Sequence, residues 1–470
     1  MADLDLCYLP ASELARRIRE GKLSPVDLID NALERIAEVN PALNCFCFVY
    51  PEEARSKAKS AHEDVKAGKP LGPLHGVPFA IKDLTPTKGK RTTLGSYAYE
   101  HWVPEADAPI VEALDKAGGI MVGKTTTPEF AYSSFTESPL WGITRNPWNK
   151  TRTPGGSSGG SGAAVASGAV PLAEGSDMGG SVRIPASFCG IVGLKPSFGR
   201  IPFTILPSQF DSISHFGPLA RTIDDAALFL DATQGPDERD IQSLKPRLDI
   251  PKPLAGDIRG WRLALAPNLG FLFIDPEVED AVRRAAAALT AQGAIVEEVD
   301  LGWTREMNDS WGQHWGVYLA SFFGHKLEEF RPKMDPNVVR LIEAGLAMNA
   351  VDFKRIEFLR TEMWNKLSPI LQRCHALLCP TMAHPAPKVG GKDTDYDWVD
   401  ERGHFHGLDV TSVFNFVSQC PALSVPAGFT EGGLPIGLQI VARRYEDLTA
   451  LNIGKALEMS RPWSQHRPKI

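Results

Sequence analysis

Apolar positions near the start of the chain recur at helical spacing. Ser24-Pro25 reads as a capping hydroxyl followed by a first-turn proline, and Ile29, Leu33 and Ile36 then fall on one face. Asn40-Pro41 predicts the end of that helix, and residues 1–70 as a whole read as helical. From Leu71 the texture changes. GPLHGVPFAIKD, residues 72–83, sets a short apolar run, Val77 to Ile81, among Gly and Pro, which predicts a buried strand ending at Lys82. Between Gly155 and Gly199 the chain is rich in Gly, Ser and Ala. Because Val, Ile, Leu and Phe are interleaved, the pattern predicts close backbone packing rather than a flexible linker.

Residues 261–299 give a strand (RLALA), a helix from Asp275-Pro276 through Leu289 closed by Gly293, and a second strand (AIVEEV). This βαβ unit argues for an α/β architecture. The next segment, 303–330, is heavy in aromatics: Trp303, Trp311, Trp315, Tyr318, Phe322 and Phe323. A helix is predicted over 351–371, followed by short strands at ALLCPT and PALSVPAGF, and no repeat is visible.

Composition narrows the function classes. The chain has 470 residues, 43% of them hydrophobic, and a net charge of −7. Length alone would allow roughly three domains of about 150 residues. The acidic balance speaks against nucleic acid as a partner, and no basic run reads as a membrane-surface patch. The N-terminal MADLDLCYLP lacks the basic and apolar regions of a secretory signal, and no stretch reaches the roughly 18 apolar residues of a spanning helix. Seven scattered cysteines without a CxxC pair read as reduced core thiols. A soluble, cytoplasmic protein is expected.

Several motifs compete for the chemistry. Gly118–Thr125 (GGIMVGKT) fits the phosphate-loop expression, but Ile120-Met121-Val122 occupies the place of the flexible loop and reads as a strand. Gly155–Gly159 (GGSSG) fits the nucleophile elbow, yet NPWNKTRTP precedes it instead of a hydrophobic strand. His384, His404 and His406 would have to supply that site's histidine. There is no HExxH, and His404-x-His406 has no partner cluster, so no metal is implied. What remains is Lys82 at a strand end, GGSSGGSG at 155–162, and GSDMGGSVRIPASFCGIVGLKPS at 175–197. Gly179-Gly180-Ser181 is a nucleophile candidate behind two residues without side chains, a setting in which backbone N–H groups can converge on an anion.

GVPFAIKD, TPGGSSGGS and GSDMGGSVRIPASFCGIVGLKP, in this order and spacing, resemble the amidase signature family. The similarity extends to GPLART at 217–222 and PALSVPAGFTEGGLPIGLQIV at 421–441, and is weakest between about 235 and 370. The resemblance implies one α/β/α domain over 1–470 around a large mixed sheet. Its parts are an N-terminal helical part (1–70), a signature core (71–230), a variable substrate-shaping region (231–370) and a C-terminal return to the core (371–470). It also implies that Ser181 is the nucleophile, that Ser157 is a bridging serine after a cis peptide bond from Gly156, and that Lys82 is the base. Ser158 is the weaker alternative to Ser157.

Backbone N–H groups of Met178, Gly179, Gly180 and Ser181 are expected to form an oxyanion hole, with Asp177 and Arg183 in a supporting ion pair. Ser176 and Met178 stand where the family often has threonine; the first keeps a hydroxyl and the second keeps its backbone donor.

The implied activity is hydrolysis of an amide through an acyl-enzyme, releasing a carboxylic acid and ammonia or an amine, without metal or organic cofactor. If the 303–323 aromatics line the pocket, small apolar or aryl amides are the expected substrates. Carbamates and esters offer the same kind of carbonyl. An amidotransferase subunit serving misacylated transfer RNA typically has Gln after the arginine, where this chain reads Arg183-Ile184-Pro185. A catalytically dead binding protein would be expected to lose a triad member, and none is missing. Oligomeric state is not legible in the sequence, and a homodimer is left open.

Overall fold

The computed structural model describes residues 1–470. Thirteen strands form: β1 (Phe46–Val49), β2 (Pro78–Lys82), β3 (Ile120–Thr125), β4 (Glu137–Ser138), β5 (Gly142–Ile143), β6 (Leu172–Asp177) and β7 (Val192–Lys195), then β8 (His215–Ala220), β9 (Arg262–Leu265), β10 (Ile295–Glu298), β11 (Ala376–Pro380), β12 (Ala422–Phe429) and β13 (Pro435–Ala442). β4 and β5 pair with each other, and the other eleven make one sheet in the order β1-β3-β2-β6-β8-β7-β12-β13-β11-β9-β10. The sheet is mixed: β3, β2 and β6 run parallel, as do β11, β9 and β10, while the strands between them pair antiparallel.

Side chains alternate across a strand, so a sheet buried on both faces feeds two cores. Phe79 and Ile81 join one apolar cluster and Ala80 the other; Leu172 and Ala173 divide the same way. The helix Pro25–Leu43 contributes Ile29, Leu33, Ile36 and Val39 to the core that holds Ala80, whereas Ile223 and Phe229 of the helix Ile223–Thr233 enter the other. Helices therefore cover both faces. No helix is long and apolar enough to cross a membrane.

Two expectations for the N-terminal part need correction. The helix does not stop at Asn40-Pro41 but runs through Pro41 to Leu43, where Asn44 turns left-handed. Burial of Val39 and Leu43 outweighs the one backbone bond that proline cannot make in a last turn. Nor is residues 1–70 wholly helical: Phe46–Val49 forms β1 and pairs antiparallel with β3 at the sheet edge. A four-residue strand between two helices is too short to show its period.

The βαβ unit forms as expected, with Asp275 capping the helix Pro276–Ala291 between parallel β9 and β10. The chain then leaves the sheet for three long helices, Arg305–Phe323, Pro336–Ala347 and Ala350–Arg373, with the single turn Leu327–Phe330 between the first two, before returning at β11. The first two of these pack so closely that a Cβ on Gly345 would overlap the Gly316 carbonyl. The Gly- and Ala-rich segment gives the short, fully buried helix Gly159–Ala166, whose Gly160 lies directly against the Thr126 backbone.

Candidate active site

β2 and β6 are parallel neighbours, and their carboxyl ends deliver Lys82 and the pair Ser176-Asp177 to the same edge. That is where loops of open α/β sheets place ligands. The loop after β6 carries Ser181 into the helix Arg183–Cys189, and the loop before Gly159–Ala166 carries Ser157, preceded by a cis Gly156–Ser157 peptide bond.

Lys82 is fully buried. Its Nζ donates to Ser157 Oγ at 2.6 Å and to Ser176 Oγ at 2.9 Å, with no carboxylate within ion-pair distance. Burial pushes its ammonium down to about 7, although the negative charges of Glu174 and Asp177 pull the other way. Glu174 accepts from the Lys82 backbone N–H at 2.8 Å and the Thr85 hydroxyl at 3.0 Å, and burial raises its carboxyl. Ser158 faces elsewhere: its Oγ donates to the Ser176 carbonyl, and its N–H donates to the Ser181 carbonyl.

Ser181 is half-buried at the wall of a cleft of about 530 Å³, also lined by Gly156, Met178 and Gly179. The loop around it is organised by Asp177. That carboxylate accepts from the N–H of Gly180 at 2.8 Å and Val182 at 3.2 Å, and from Arg183 Nε and Nη2 at 3.0 and 2.8 Å. Against the cost of burial, the Arg183 guanidinium and the Asn415 amide hold the Asp177 carboxyl below the usual carboxylate range. Arg183 also donates to Thr411 O, Gln439 Oε1 and Asn415 Oδ1, so every nitrogen of this buried guanidinium is paired.

The expected set of oxyanion donors needs one correction. The Gly180 N–H is engaged by Asp177 and is not free. The N–H groups of Met178, Gly179 and Ser181 have no acceptor within the protein, while the intervening carbonyls are held back: Met178 O by Trp311 Nε1 at 3.0 Å, Gly179 O by Thr411 Oγ1 at 2.7 Å, and Gly180 O by the Ile184 N–H at 2.7 Å.

The aromatic run divides. Trp311 and Trp315 line the cleft and stack on each other, with centroids 6.0 Å apart. Trp303 is buried against Phe414, Phe323 stacks on Phe130, and Tyr318 packs on Phe322, all away from the cleft lining. The two competing motifs have structural places. Ile120–Thr125 is β3, with Lys124 buried against the Thr85 carbonyl, and Gly159 begins a helix rather than following a strand-borne elbow. His404 and His406 both lean on Asp400, and His406 stacks on Trp398. His384 packs against Tyr396 and Phe273.

Sequence reading passes over the roles of Ser176, Glu174, Thr411, Asn415 and Gln439. A glutamate inside an apolar strand is a visible anomaly. The last three carry no local signal, since their partners lie more than 200 residues away.

The chain is 36% identical over 473 residues to an acylamidase of Rhodococcus erythropolis, covering 100% of this chain and 98% of that one. It is 34% identical over 484 residues to a glutamyl-tRNA(Gln) amidotransferase subunit of Geobacillus stearothermophilus, covering 98% of each. The solved structure of a bacterial aryl acylamidase of the amidase signature enzymes matches with a TM-score of 0.91 at 31% identity, covering 97% of each chain. The protein is an amide-hydrolysing enzyme. A family model described as Amidase matches residues 27–451, and the chain belongs to the amidase signature family.

Proposed function

We propose that this enzyme hydrolyses apolar or aryl amides through a Ser181 acyl-enzyme, with Ser157 as proton bridge and Lys82 as base. The observation that carries the reading is the 2.6 Å contact from a fully buried Lys82 to Ser157, with no carboxylate within ion-pair distance of the lysine. A serine hydroxyl needs a proton acceptor to become a nucleophile, and lysine accepts only when neutral. Burial brings the lysine down to about 7, so that the neutral form is populated near neutral pH.

In the first step Lys82 takes a proton from Ser157 as Ser157 takes one from Ser181, and Ser181 Oγ bonds to the carbonyl carbon. The carbonyl π electrons move onto oxygen, and the N–H groups of Met178, Gly179 and Ser181 receive that charge. Each well-placed donor of this kind is worth about 3–4 kcal/mol. As the C–N bond breaks, Ser157 returns a proton to the leaving nitrogen and is reprotonated by Lys82. Water, deprotonated by the same relay, then attacks the acyl carbon; as the bond to Ser181 Oγ breaks, Ser157 returns the proton to that oxygen and is reprotonated by Lys82, which frees the acid and restores the enzyme. No step calls on a metal or organic cofactor.

Trp311 and Trp315 in the cleft support an apolar or aryl substrate. So does the likeness to an acylamidase and an aryl acylamidase. The same relay would act on carbamates and esters. The amidotransferase reading draws on the amidotransferase relatives but meets Ile184, a buried cleft residue, where that branch typically has glutamine.

The test is hydrolysis of an aryl amide, an aliphatic amide, an ester and an aryl carbamate sharing one group, by wild type and Ser181→Ala. Loss of turnover in the variant with the aryl amide preferred by wild type supports the proposal. Turnover that survives Ser181→Ala removes the nucleophile assignment, and faster turnover of the aliphatic amide removes the aryl preference. Ammonia transfer dependent on a co-purifying partner chain would replace it with the amidotransferase reading.

A further inference from the structure

We propose that Trp311 is a positioning residue for the oxyanion loop, so that the aromatic wall of the cleft and the donor N–H of Gly179 form one mechanical unit. The proposal rests on reading Ser181 as the nucleophile. A peptide unit is planar, and its C=O and the following N–H point in opposite directions. Holding the Met178 carbonyl at 3.0 Å from Trp311 Nε1 therefore fixes the direction of the Gly179 N–H, one of the three donors left without an acceptor.

The contact is steric as well as polar. The indole lies so close to the Gly179 Cα that a Cβ there would overlap its six-membered ring. Trp311 in turn stacks on Trp315, four residues further along the same helix Arg305–Phe323 and only 4% exposed.

The other supports of the loop come from elsewhere in the fold. Thr411 and Ile184 hold the Gly179 and Gly180 carbonyls, and Asp177 holds the Gly180 N–H. Fixing the peptide between Gly179 and Gly180 aims its N–H at Asp177, away from any substrate. Trp311 is thus the one hydrogen-bond anchor of this loop drawn from the three-helix excursion, and it orients a free donor. Without it, the Met178–Gly179 peptide has no partner for its carbonyl and can turn that oxygen toward the cleft, where it would repel a developing oxyanion.

Three variants separate this role from that of a simple wall. Trp311→Phe keeps an aromatic surface and deletes the N–H, whereas Trp311→His and Trp311→Gln shrink the wall but keep a donor. Each is assayed with an anilide, with an aryl trifluoromethyl ketone that adds serine to form a tetrahedral oxyanion, and with the matching unreactive aryl methyl carbinol.

The expected result for Trp311→Phe is a loss of about 10- to 100-fold in kcat, somewhat below the cost of deleting an oxyanion donor outright. KM should stay within about twofold, trifluoromethyl ketone affinity should fall in step with kcat, and carbinol affinity should hold. His or Gln should recover part of kcat while weakening carbinol binding. The proposal is overturned if Phe leaves kcat and ketone affinity unchanged, or if ketone and carbinol weaken equally. Should the Phe variant not fold, His and Gln variants that lose kcat no less than Trp311→Ala overturn it as well. Ser181→Ala keeps the two readings apart. If that variant retains turnover or the covalent ketone adduct, the nucleophile assignment is defeated, whereas an inactive Ser181→Ala beside a fully active Trp311→Phe defeats only the role of Trp311.

Discussion

Lys82 is an amine fully buried beside Ser157, and its titration should govern activity. Its folded value is depressed to about 7 by burial, so the protonated, inactive form accumulates as pH falls below that value. The expected pH profile of kcat/KM therefore rises with pH to a plateau above an apparent pKa near 7 and has an acid limb. Lys82→Ala should lower kcat by about 10²–10⁴-fold, as removal of a general base does. Lys82→Arg should not restore it, because a guanidinium does not deprotonate in proteins. Ser176 offers a finer test. Its hydroxyl accepts from Lys82 Nζ and so favours the charged form. Ser176→Ala should move the acid limb to lower pH while Ser181 stays competent, and a limb moving upward would contradict this account.

The segment from β6 into the helix Arg183–Cys189 works as an element because one carboxylate organises it. Asp177 gathers two backbone N–H groups and the Arg183 fork, and Asn415 bridges the two side chains. Asp177→Asn leaves the buried guanidinium without its charge partner, and breaking such a pair costs about 3–5 kcal/mol. Its thermal or urea unfolding midpoint should drop accordingly, with activity lost well before the fold. Gly180 tests the same element from the backbone side. Its φ of +119° lies where side chains rarely go, and a Cβ would collide with Thr411 Oγ1. Gly180→Ala should abolish turnover through displacement of the loop, with the variant still melting cooperatively.

At the scale of the whole molecule, one sheet edge carries the proposed relay and a helical excursion supplies part of the cleft wall. Lys82, Ser157 and Ser181 stand on β2 and on the loops leading into two short buried helices, whereas Trp311, Trp315, Leu341 and Ala344 come from helices outside the sheet. Changing the wall at positions other than Trp311 should thus alter which amide is used without touching the relay or its donor loop. Ala344 is exposed at the cleft, and Ala344→Phe should narrow it. Turnover of bulky anilides is expected to fall by about tenfold relative to a small aliphatic amide, a typical size for pocket discrimination. An equal loss on both substrates would mean the excursion does not shape specificity.

Much of the frame is legible along the chain because its signals are local. Val77–Ile81 is a continuous apolar run, so β2 and the position of Lys82 at its end follow from hydrophobicity alone. The βαβ unit announces itself through Asp275-Pro276 and two short apolar strands, and the motif segments name Ser157 and Ser181. The sequence also places an aromatic cluster at 303–323, but one-dimensional spacing cannot say which rings face the cleft; helix rotation and packing against Pro336–Ala347 choose Trp311 and Trp315. Sequence alone counts Gly180 among four expected donors, Met178 through Ser181, because nothing along the chain distinguishes their N–H groups, and only the folded Asp177 carboxylate sets Gly180 apart. Asn415, Gln439 and Thr411 are invisible for the same reason: a hydrogen bond spanning more than 200 residues leaves no pattern in the chain. The sequence by itself determined the strand that ends at Lys82 and the motif segments that carry Ser157 and Ser181, since those are encoded in local hydrophobicity and motif. The tertiary structure alone decided which donors are free, which rings form the wall and why the Lys82 ammonium is pushed down, because burial and long-range hydrogen bonding exist only once the chain has closed on itself.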